Sequence, residues 1–173
     1  ETQEKAALQA ALQTTQFRML QSQVNPHFLF NTLGLISYTA IQENAPVTEE
    51  VAYCLSDLLR YSLRNVAKGV TLGREIETIE RYLTIQKLRF GERLQTRFEI
   101  EPALRQRQIP CMTLQPLVEN AVIHAVEPLA RPVLIEVRAT RVADGIKLEV
   151  IDDGAGMESA LAEAINRRAY RDW

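Results

Sequence analysis

A change in the spacing of apolar residues at Gly91 constrains the fold of this chain more than any other feature. Before Gly91, apolar side chains recur every three or four residues, which is the period of amphipathic helices. After Gly91, residues 94 to 100 alternate apolar and polar side chains as a β-strand does. The sequence therefore predicts an α+β chain, with a helical first half and a mixed second half.

The first helical stretch is interrupted at Pro26. Residues 1 to 43 contain a single glycine, Gly34, and are rich in Ala, Leu and Gln, which fits one long helix or two stacked helices. Proline removes a backbone donor and disfavours helical geometry at the preceding residue, Asn25. We therefore expect either a kink or a new helix that Asn25 caps and Pro26 begins.

Two further helices are predicted before Gly91. A turn at residues 44 to 46 precedes a helix that Thr48 can cap and Gly69 ends. A third helix is predicted from Leu72 to Phe90. The positions that define one side of the three helices are Leu29, Leu33, Ile36 and Ala40, then Val51, Leu55, Leu58, Leu59, Ser62 and Val66, then Ile76, Ile79, Leu83 and Gln86. A helical hairpin is too narrow to bury its own stripe, so a dimeric four-helix bundle is predicted.

The second half contains a helix and a hairpin besides the strand. Residues 113 to 126 return to helical period. Residues 133 to 151 are predicted to form two strands that turn at Asp144-Gly145. We find no internal repeat and no low-complexity segment in the sequence.

Composition excludes several classes of protein. Hydrophobic residues make up 46% and charged residues 24% of the 173 residues, as in ordinary soluble domains. The net charge of -2 selects no partner, but a pI of about 5.8 and the lack of a basic and aromatic patch argue against nucleic-acid binding. Cys54 and Cys111 lie far apart without metal-ligand spacing, so they are expected to be buried thiols in a reducing compartment.

The start of the chain indicates a piece of a longer polypeptide. No apolar run approaches the roughly 20 residues that cross a bilayer. No signal peptide is visible, and the chain begins at Glu1 without methionine and with helical character. We therefore expect a soluble fragment with further sequence upstream.

The first candidate site is the segment Asn25-Pro26-His27-Phe28-Leu29-Phe30-Asn31. A histidine can act as a general base, a metal ligand, a nucleophile or a packed structural residue. Gln23, His27 and Asn31 are spaced four apart and form a polar column beside the apolar stripe, which would expose the imidazole. A metal site is disfavoured because no His, Cys or carboxylate lies three or four residues after His27. A nucleophilic imidazole stays open, with Asn31 one turn away to hold the ring or an incoming water.

The second candidate site is the segment from Leu114 to His124. Its buried stripe is predicted to comprise Leu114, Leu117, Val118, Ala121, Val122 and Ala125. Asn120 and His124 stand one turn apart on the opposite face, with Glu119 beside them. An amide oxygen suits Mg²⁺, which usually binds through substrate phosphates and only one or two protein groups. A solvated helix face is the alternative explanation.

The third candidate site is the segment Asp152-Asp153-Gly154-Ala155-Gly156, directly after a predicted strand. Glycines let the backbone approach a ligand closely. A carboxylate at a strand end can accept a hydrogen bond from an exocyclic amine such as that of adenine. An ordinary strand-to-loop turn explains the pattern at least as often.

The order and spacing of these three segments resemble the sensor histidine kinases, specifically the LytS type. In that family the phosphoacceptor motif is Gln-x-Asn-Pro-His-Phe-Leu-Phe-Asn, and residues 23 to 31 match it throughout. Residues 80 to 90 and 114 to 124 are similar to the linker helix and the N-box of the family. The resemblance covers nearly all of residues 17 to 157.

The resemblance implies roles for single residues. By similarity, His27 would accept the γ-phosphoryl group of ATP, with Asn31 in support, and would pass it to an aspartate of a response regulator. Asn120 would hold Mg²⁺, and Asp152 would bind the adenine amine. The full set implied to bind ATP is Glu119, Asn120, His124, Asp152, Gly154 and Gly156. Phosphoryl transfer needs mainly positioning and charge neutralisation, which such a set can supply.

The resemblance also implies a domain organisation. Residues 1–90 would be the helical dimerisation and phosphoacceptor region, and residues 91–173 a GHKL-type α/β-sandwich ATP-binding domain that is incomplete after its first glycine box. The implied partners are a second copy of the chain and the receiver domain of a response regulator. An upstream sensor segment would be embedded in the membrane, so that this portion would lie in the cytoplasm.

Two features depart from the family pattern. Phe28 stands where many histidine kinases place an acidic proton acceptor, as is usual in the LytS type, so the base for His27 is unassigned. Residues 158 to 173 contain no glycine, although the family continues there into a lid and a second glycine-rich box. The basic residues 167 to 171 are either a solvated helix end or a substitute contact to phosphate.

Two other functions are compatible with these departures. One is a dimeric phosphotransfer or docking module that has lost ATP binding together with its second glycine box. The other is a GHKL-type ATPase that hydrolyses ATP without phosphorylating histidine, which leaves the match at residues 25 to 31 without a role.

Overall fold

A computed structural model describes residues 25–64 and 69–156 of the chain. They belong to two units, Glu1–Arg64 and Asn65–Trp173. The predictions for Gln23, Val66 and residues 157 to 173 lie outside the described residues. None of the helices within the described ranges is long and apolar enough to cross a membrane.

The first unit is a helical hairpin. Helix α1 (Pro26–Gln42) begins at the proline, and the side-chain oxygen of its N-cap Asn25 accepts a hydrogen bond from the backbone N–H of Phe28 at 3.3 Å. Proline fits this first position because its missing N–H would have no helical partner there. Of the two possibilities at Pro26, the structure therefore has the new helix start.

Helix α2 (Pro46–Arg64) begins two residues before Thr48, which was predicted as its cap. The difference has a local cause, since Pro46 again supplies a fixed φ at the first helical position. The carbonyl of Ala45 accepts the first helical bond, from Glu49 N–H at 3.1 Å. The turn between the helices passes through Asn44, whose φ is 53°.

The hairpin buries only part of its predicted stripes. Leu33 and Ala40 are buried as expected, whereas Ile36 and Leu55 are each 39% exposed. The buried hydrophobic residues of α2 are Ala52, Cys54 and Tyr61. No disulfide joins Cys54 to Cys111.

The first helix of the second unit has the predicted bounds. Helix α3 (Leu72–Phe90) follows strand β1 (Val70–Thr71) and is capped by Thr71, whose hydroxyl accepts from Arg74 N–H at 3.2 Å. It ends at Gly91, whose φ of 56° favours glycine. Its buried apolar residues are Leu72, Ile76, Ile79 and Leu83.

A three-stranded mixed sheet forms the other layer. Its order is β2 (Leu94–Ile100), β4 (Val133–Val142) and β5 (Gly145–Asp152), with β2 and β4 parallel and β4 and β5 antiparallel. Strand β3 (Gln108–Ile109) pairs with β1 instead. The core side of β4 is fully buried at Val133, Ile135, Val137 and Ala139. The predicted strand at residues 94 to 100 and the α+β class are confirmed. The predicted hairpin is also present, but its turn lies at Ala143-Asp144 and not at Asp144-Gly145, because Gly145 already pairs with Val142.

The link from β2 to β4 carries the predicted fourth helix. It consists of α4 (Gln115–Ala121), which continues into one π-helical turn (Val122–Val126). By contacts, α3 belongs to the second unit, so the structural division falls before α3 rather than at residue 91. The functional division into residues 1–90 and 91–173 stays a prediction.

Glu136 lies on the sheet face opposite the core residues of β4, and it is buried. Arg138 donates two hydrogen bonds to it, Nε to Oε1 at 3.0 Å and Nη2 to Oε2 at 2.9 Å. These bonds lower the pKa of the Glu136 carboxyl below its ordinary value of 4.5. The ionised carboxylate therefore stabilises the fold above that value, and this stabilisation is lost as the pH falls through the lower folded pKa.

We expect Glu136→Gln to weaken the acid dependence of unfolding. Urea unfolding of the chain at several pH values between about 5 and 3 measures this dependence. The wild type should lose stability more steeply than the variant, while Glu92→Gln, at an exposed carboxylate, should behave as the wild type. Parallel curves for wild type and Glu136→Gln would contradict the assignment.

Candidate functional site

His27 is exposed in the first turn of α1. The Asn25 cap and Pro26 fix the backbone of this turn, so the imidazole projects from a defined position. The side-chain nitrogen of Asn31 lies 3.3 Å from Nδ1 of His27, one turn along the helix. Two of the three residues of the predicted polar column, His27 and Asn31, are thus in contact, and Phe28 beside them is 64% exposed.

Asn31 can select the nucleophilic tautomer of His27. A side-chain amide presents either its NH₂ group or, after a half turn, its oxygen to the same neighbour. When the amide oxygen accepts a hydrogen bond from Nδ1–H, the lone pair of Nε2 is left free. In that arrangement the imidazole can attack an electrophile with Nε2.

Asn120 and His124 are both exposed, on α4 and on the π-helical turn respectively. Val118, Ala121, Val122 and Ala125 are buried as predicted, whereas Leu117 is 48% exposed and the prediction for it is wrong. The π-helical turn also changes the register, because Glu127 N–H bonds to Val122 O five residues back, at 3.0 Å. Asn120 therefore lies in the α-helix and His124 in the π-helical turn, and their placement one turn apart on one face stays a prediction.

The carboxylate of Glu119 is oriented by its own helix. The side-chain amide of Gln115 donates to Glu119 Oε1 at 2.9 Å. Tyr82 of α3 also faces this region, since burial, and then the negative charges of Glu119 and Glu127, raise its pKa to about 12. The phenol of Tyr82 is therefore neutral at physiological pH. Glu119 itself is half-buried.

The segment Asp152–Gly156 forms a tight loop at the end of β5. Oδ1 of Asp152 accepts a hydrogen bond from Gly154 N–H at 3.0 Å, and Asp152 itself is exposed. Gly156 has a φ of 75°, in the left-handed region that favours glycine. Asp153 serves a different purpose, because its Oδ1 accepts from Leu134 N–H at 2.8 Å and so ties the loop to β4.

Gly154 brings this loop against the helix that carries Asn120 and His124. A Cβ on Gly154 would lie 2.4 Å from Cβ and 2.9 Å from Cα of Ala125, the residue after His124. Only a glycine allows such a close approach of backbone to helix. The second and third predicted segments therefore meet within the second unit, while His27 belongs to the first.

The groups exposed where they meet fit a Mg²⁺ nucleotide. In the part of the chain that the structure describes, the amide of Asn120 makes no hydrogen bond, and only one oxygen of Asp152 accepts one. An amide oxygen suits Mg²⁺, and a carboxylate oxygen can accept from an exocyclic amine. The predicted basic segment at residues 167 to 171 lies outside the described ranges.

Two residues at the ends of α4 and its π-helical turn were not found from the sequence. Glu75 of α3 and Arg93 after it contact backbone groups at the two ends. Glu75 carried a signal, since a carboxylate between Leu72, Ile76 and Ile79 lies within an apolar stripe. Nothing in the local sequence marks Arg93.

Comparison with known proteins gives a family. The family model described as Histidine kinase matches residues 15–94. Sensor histidine kinase YesM of Bacillus subtilis (strain 168) is 34% identical over 171 residues, which are 99% of this chain and 30% of that protein. Sensor histidine kinase BtsS of Escherichia coli (strain K12) is 38% identical over 155 residues, which are 90% of this chain and 27% of that protein. The chain spans less than a third of the length of either relative.

A solved structure is also similar. The histidine kinase domain of the Erythrobacter litoralis EL346 blue-light activated histidine kinase aligns with 78% of this chain and 74% of that domain, at 13% identity and a TM-score of 0.42. A likeness of this degree adds nothing to the assignment, which rests on sequence. The family model, the two relatives and the motif at residues 23 to 31 agree, and the chain belongs to the sensor histidine kinases of the LytS type.

Proposed function

We propose that this chain is the core of an ATP-dependent protein-histidine kinase in which His27 accepts the γ-phosphoryl group of ATP. The observation that carries the proposal is the exposed imidazole in the first turn of α1, with Nδ1 beside Asn31. A histidine held at one ring nitrogen and open at the other is suited to nucleophilic attack. The sensor histidine kinase relatives support this reaction class.

The proposed step forms one bond and breaks one. Nε2 of His27 bonds to the γ-phosphorus, the bond from that phosphorus to the bridging oxygen breaks, and ADP leaves. The N-terminus of α1 favours the negative charge that arrives on the imidazole. An aspartate of a response regulator receiver domain then takes the phosphoryl group, which returns His27 to its starting form.

Residues of the second unit would hold the nucleotide. Asp152 accepts from the adenine amine, and Gly154 and Gly156 shape the loop around it. Asn120 provides an oxygen to Mg²⁺, with Glu119 and His124 near the phosphates. Bound Mg²⁺ neutralises phosphate charge, and the chain supplies the positions.

Exposed apolar side chains on the hairpin support a homodimer. Six of its large hydrophobic residues are more than half exposed, namely Phe28, Leu35, Tyr38, Ile41, Val47 and Tyr53. Pairing with a second hairpin would remove such surface from water, at about 25 cal/mol per Å² buried. We also propose that an upstream sensor segment of the complete polypeptide lies in a membrane. This chain would then lie on the cytoplasmic side of that membrane.

Incubation of the complete polypeptide that contains this chain with γ-labelled ATP and Mg²⁺ tests the proposal. The expected product is a protein-bound label that is lost in acid and kept in alkali, as a phosphorus–nitrogen bond requires. Phosphate release without any bound label would instead favour the GHKL-type ATPase. A polypeptide that neither binds ATP nor incorporates label would favour the docking module.

Asn31→Leu should slow label incorporation by about tenfold or more, since Nδ1 loses its partner and the nucleophilic tautomer loses its support. Initial rates at saturating ATP measure the effect, and nucleotide affinity should stay at the wild-type value. Thr32→Val is the matched control, because its hydroxyl bonds Phe28 O on the same helix at 2.8 Å and not His27. A wild-type rate in Asn31→Leu would remove Asn31 from the mechanism.

A further inference from the structure

Glu75 supplies the hydrogen-bond acceptors at the start of α4. Its carboxylate is fully buried on α3, and its Oε2 accepts from Met112 N–H at 3.1 Å. Its Oε1 accepts from Leu114 N–H at 2.9 Å and from Gln115 N–H at 3.3 Å. The cap residue of α4, Leu114, makes no side-chain cap bond, so the carboxylate from α3 takes that place.

The same carboxylate holds an unusual backbone conformation. Met112 has a φ of 60°, in the left-handed region that non-glycine residues rarely adopt. Such a conformation persists when surrounding contacts determine it. The hydrogen bond from Met112 N–H to Glu75 is one of those contacts, so the path of the chain into α4 depends on α3.

Arg93 closes the opposite end. Its guanidinium donates from Nη2 to Val126 O at 2.8 Å and to Glu127 O at 3.2 Å. Its Nε donates to Leu129 O at 3.1 Å. These carbonyls follow or end the π-helical turn, where helical partners are missing. Arg89 of α3 adds an ion pair to Glu127 at 2.7 Å.

The charges at the two ends match the helix dipole. An anion, Glu75, lies at the N-terminal end of α4, and a cation, Arg93, lies at the C-terminal end of the π-helical turn, which is the stabilising arrangement at both ends. Both come from α3 or from the three residues that follow it. Helix α3 therefore holds both ends of the segment that carries Asn120.

We propose that Glu75 and Arg93 are positioning residues that fix the Asn120 helix at its two ends and thereby set the Mg²⁺-phosphate part of the nucleotide site. The inference rests on the proposed function, in which Asn120 provides a Mg²⁺ ligand. The two ends differ in what they control. The Arg93 end adjoins Ala125, against which Gly154 packs, whereas the Glu75 end lies away from that contact. Loss of Glu75 should therefore affect Mg²⁺-dependent binding selectively.

Glu75→Gln tests the N-terminal end, because an amide keeps the size of the side chain but presents NH₂ to one of the backbone donors. Affinity for a non-hydrolysable ATP analogue is measured with and without Mg²⁺ on the complete polypeptide. We expect a loss of about tenfold with Mg²⁺, which is the scale of one charge-assisted hydrogen bond, and a loss below about twofold without it. Glu77→Gln is the matched control, since Glu77 is an exposed carboxylate on the same helix, paired with Arg74.

Hydrogen exchange gives a second readout that does not depend on nucleotide. The backbone amides of Met112, Leu114 and Gln115 should exchange about tenfold faster in Glu75→Gln than in Glu77→Gln. Glu75→Asp keeps the negative charge on a shorter side chain. It should show smaller changes in amide exchange and in Mg²⁺-dependent affinity than Glu75→Gln, and it provides a readout if Glu75→Gln fails to fold.

Nucleotide binding by the wild type tests the proposed function, and nucleotide binding by Glu75→Gln tests the positioning role of Glu75. A wild type without Mg²⁺-dependent nucleotide binding would contradict the proposed function. A wild type that has it, together with a Glu75→Gln protein that keeps it or that loses affinity equally with and without Mg²⁺, would overturn the positioning role alone. Selective loss of the Mg²⁺-dependent part, with faster exchange at the three amides, is the result that supports it.

Discussion

His27→Gln is expected to reduce incorporation of acid-labile label from ATP by at least about a thousandfold, since a side-chain amide is not a nucleophile toward phosphorus. The polar character of position 27 in the column would remain, because glutamine is also polar and helix-forming. The measurement is bound label after incubation of the complete polypeptide with γ-labelled ATP and Mg²⁺. This variant carries the largest expected effect on activity.

Nucleotide binding by the same variant is the internal control. His27 lies in the first unit and the proposed ATP residues lie in the second, so affinity for a non-hydrolysable ATP analogue should not change. Full label in His27→Gln would place the phosphoryl group on another residue. Loss of label together with loss of nucleotide binding would show that the substitution acts by a route other than the nucleophile.

Gly154→Ala is expected to lower nucleotide affinity by about a hundredfold, the scale of one lost hydrogen bond to the Asp152 carboxylate. The added Cβ would lie 2.4 Å from Cβ of Ala125 and 2.8 Å from Oδ1 of Asp152. The contact on Ala125 is not the end of a flexible chain, so the loop must move away from the helix. Asp152 would move with it, because Gly154 N–H donates to its Oδ1.

A second substitution and a control make this result specific. Ala125→Gly removes the nearest atom and should restore part of the affinity lost in Gly154→Ala. Gly34→Ala adds the same methyl group where no heavy atom lies within 4 Å, so it should leave nucleotide affinity unchanged. It should also stabilise α1 by about 0.5 to 1 kcal/mol, because glycine weakens a helix interior. Wild-type affinity in Gly154→Ala would contradict the close contact between loop and helix.

The parts of the fold with local signals were predictable from the sequence. Helix α3 has its predicted bounds because Thr71 caps it and Gly91 ends it, and both signals lie in the adjoining sequence. Strand β2 alternates as a half-buried strand does, and its bounds are also as predicted. The start of α1 follows from the Asn25 cap and the proline after it.

The parts that depend on distant contacts were not predictable. The π-helical turn lies where Arg93, more than 30 residues earlier, binds the carbonyls of Val126 and Glu127. Leu117 was assigned to the core by spacing, yet it is 48% exposed. Spacing gives the direction of a side chain but not whether another element covers it.

In the candidate site, too, local contacts could be predicted from the sequence and distant contacts could not. His27 and Asn31 are four residues apart on one helix, so their contact could be anticipated from helical geometry. The position of Glu75 within an apolar stripe was a signal that the sequence analysis did not use. Its three backbone partners lie 37 to 40 residues away and could be found only from coordinates.

Mapping of the phosphorylated residue tests the central claim most directly. The 173 residues of this chain contain two histidines, His27 and His124. Digestion of the labelled polypeptide without acid, followed by mass spectrometry, distinguishes them from each other and from any histidine elsewhere in the polypeptide. The proposed function predicts phosphate on His27, attached at Nε2 by phosphorus NMR, and none on His124. Phosphate on any residue other than His27, or consumption of ATP with His27 unmodified, would contradict it.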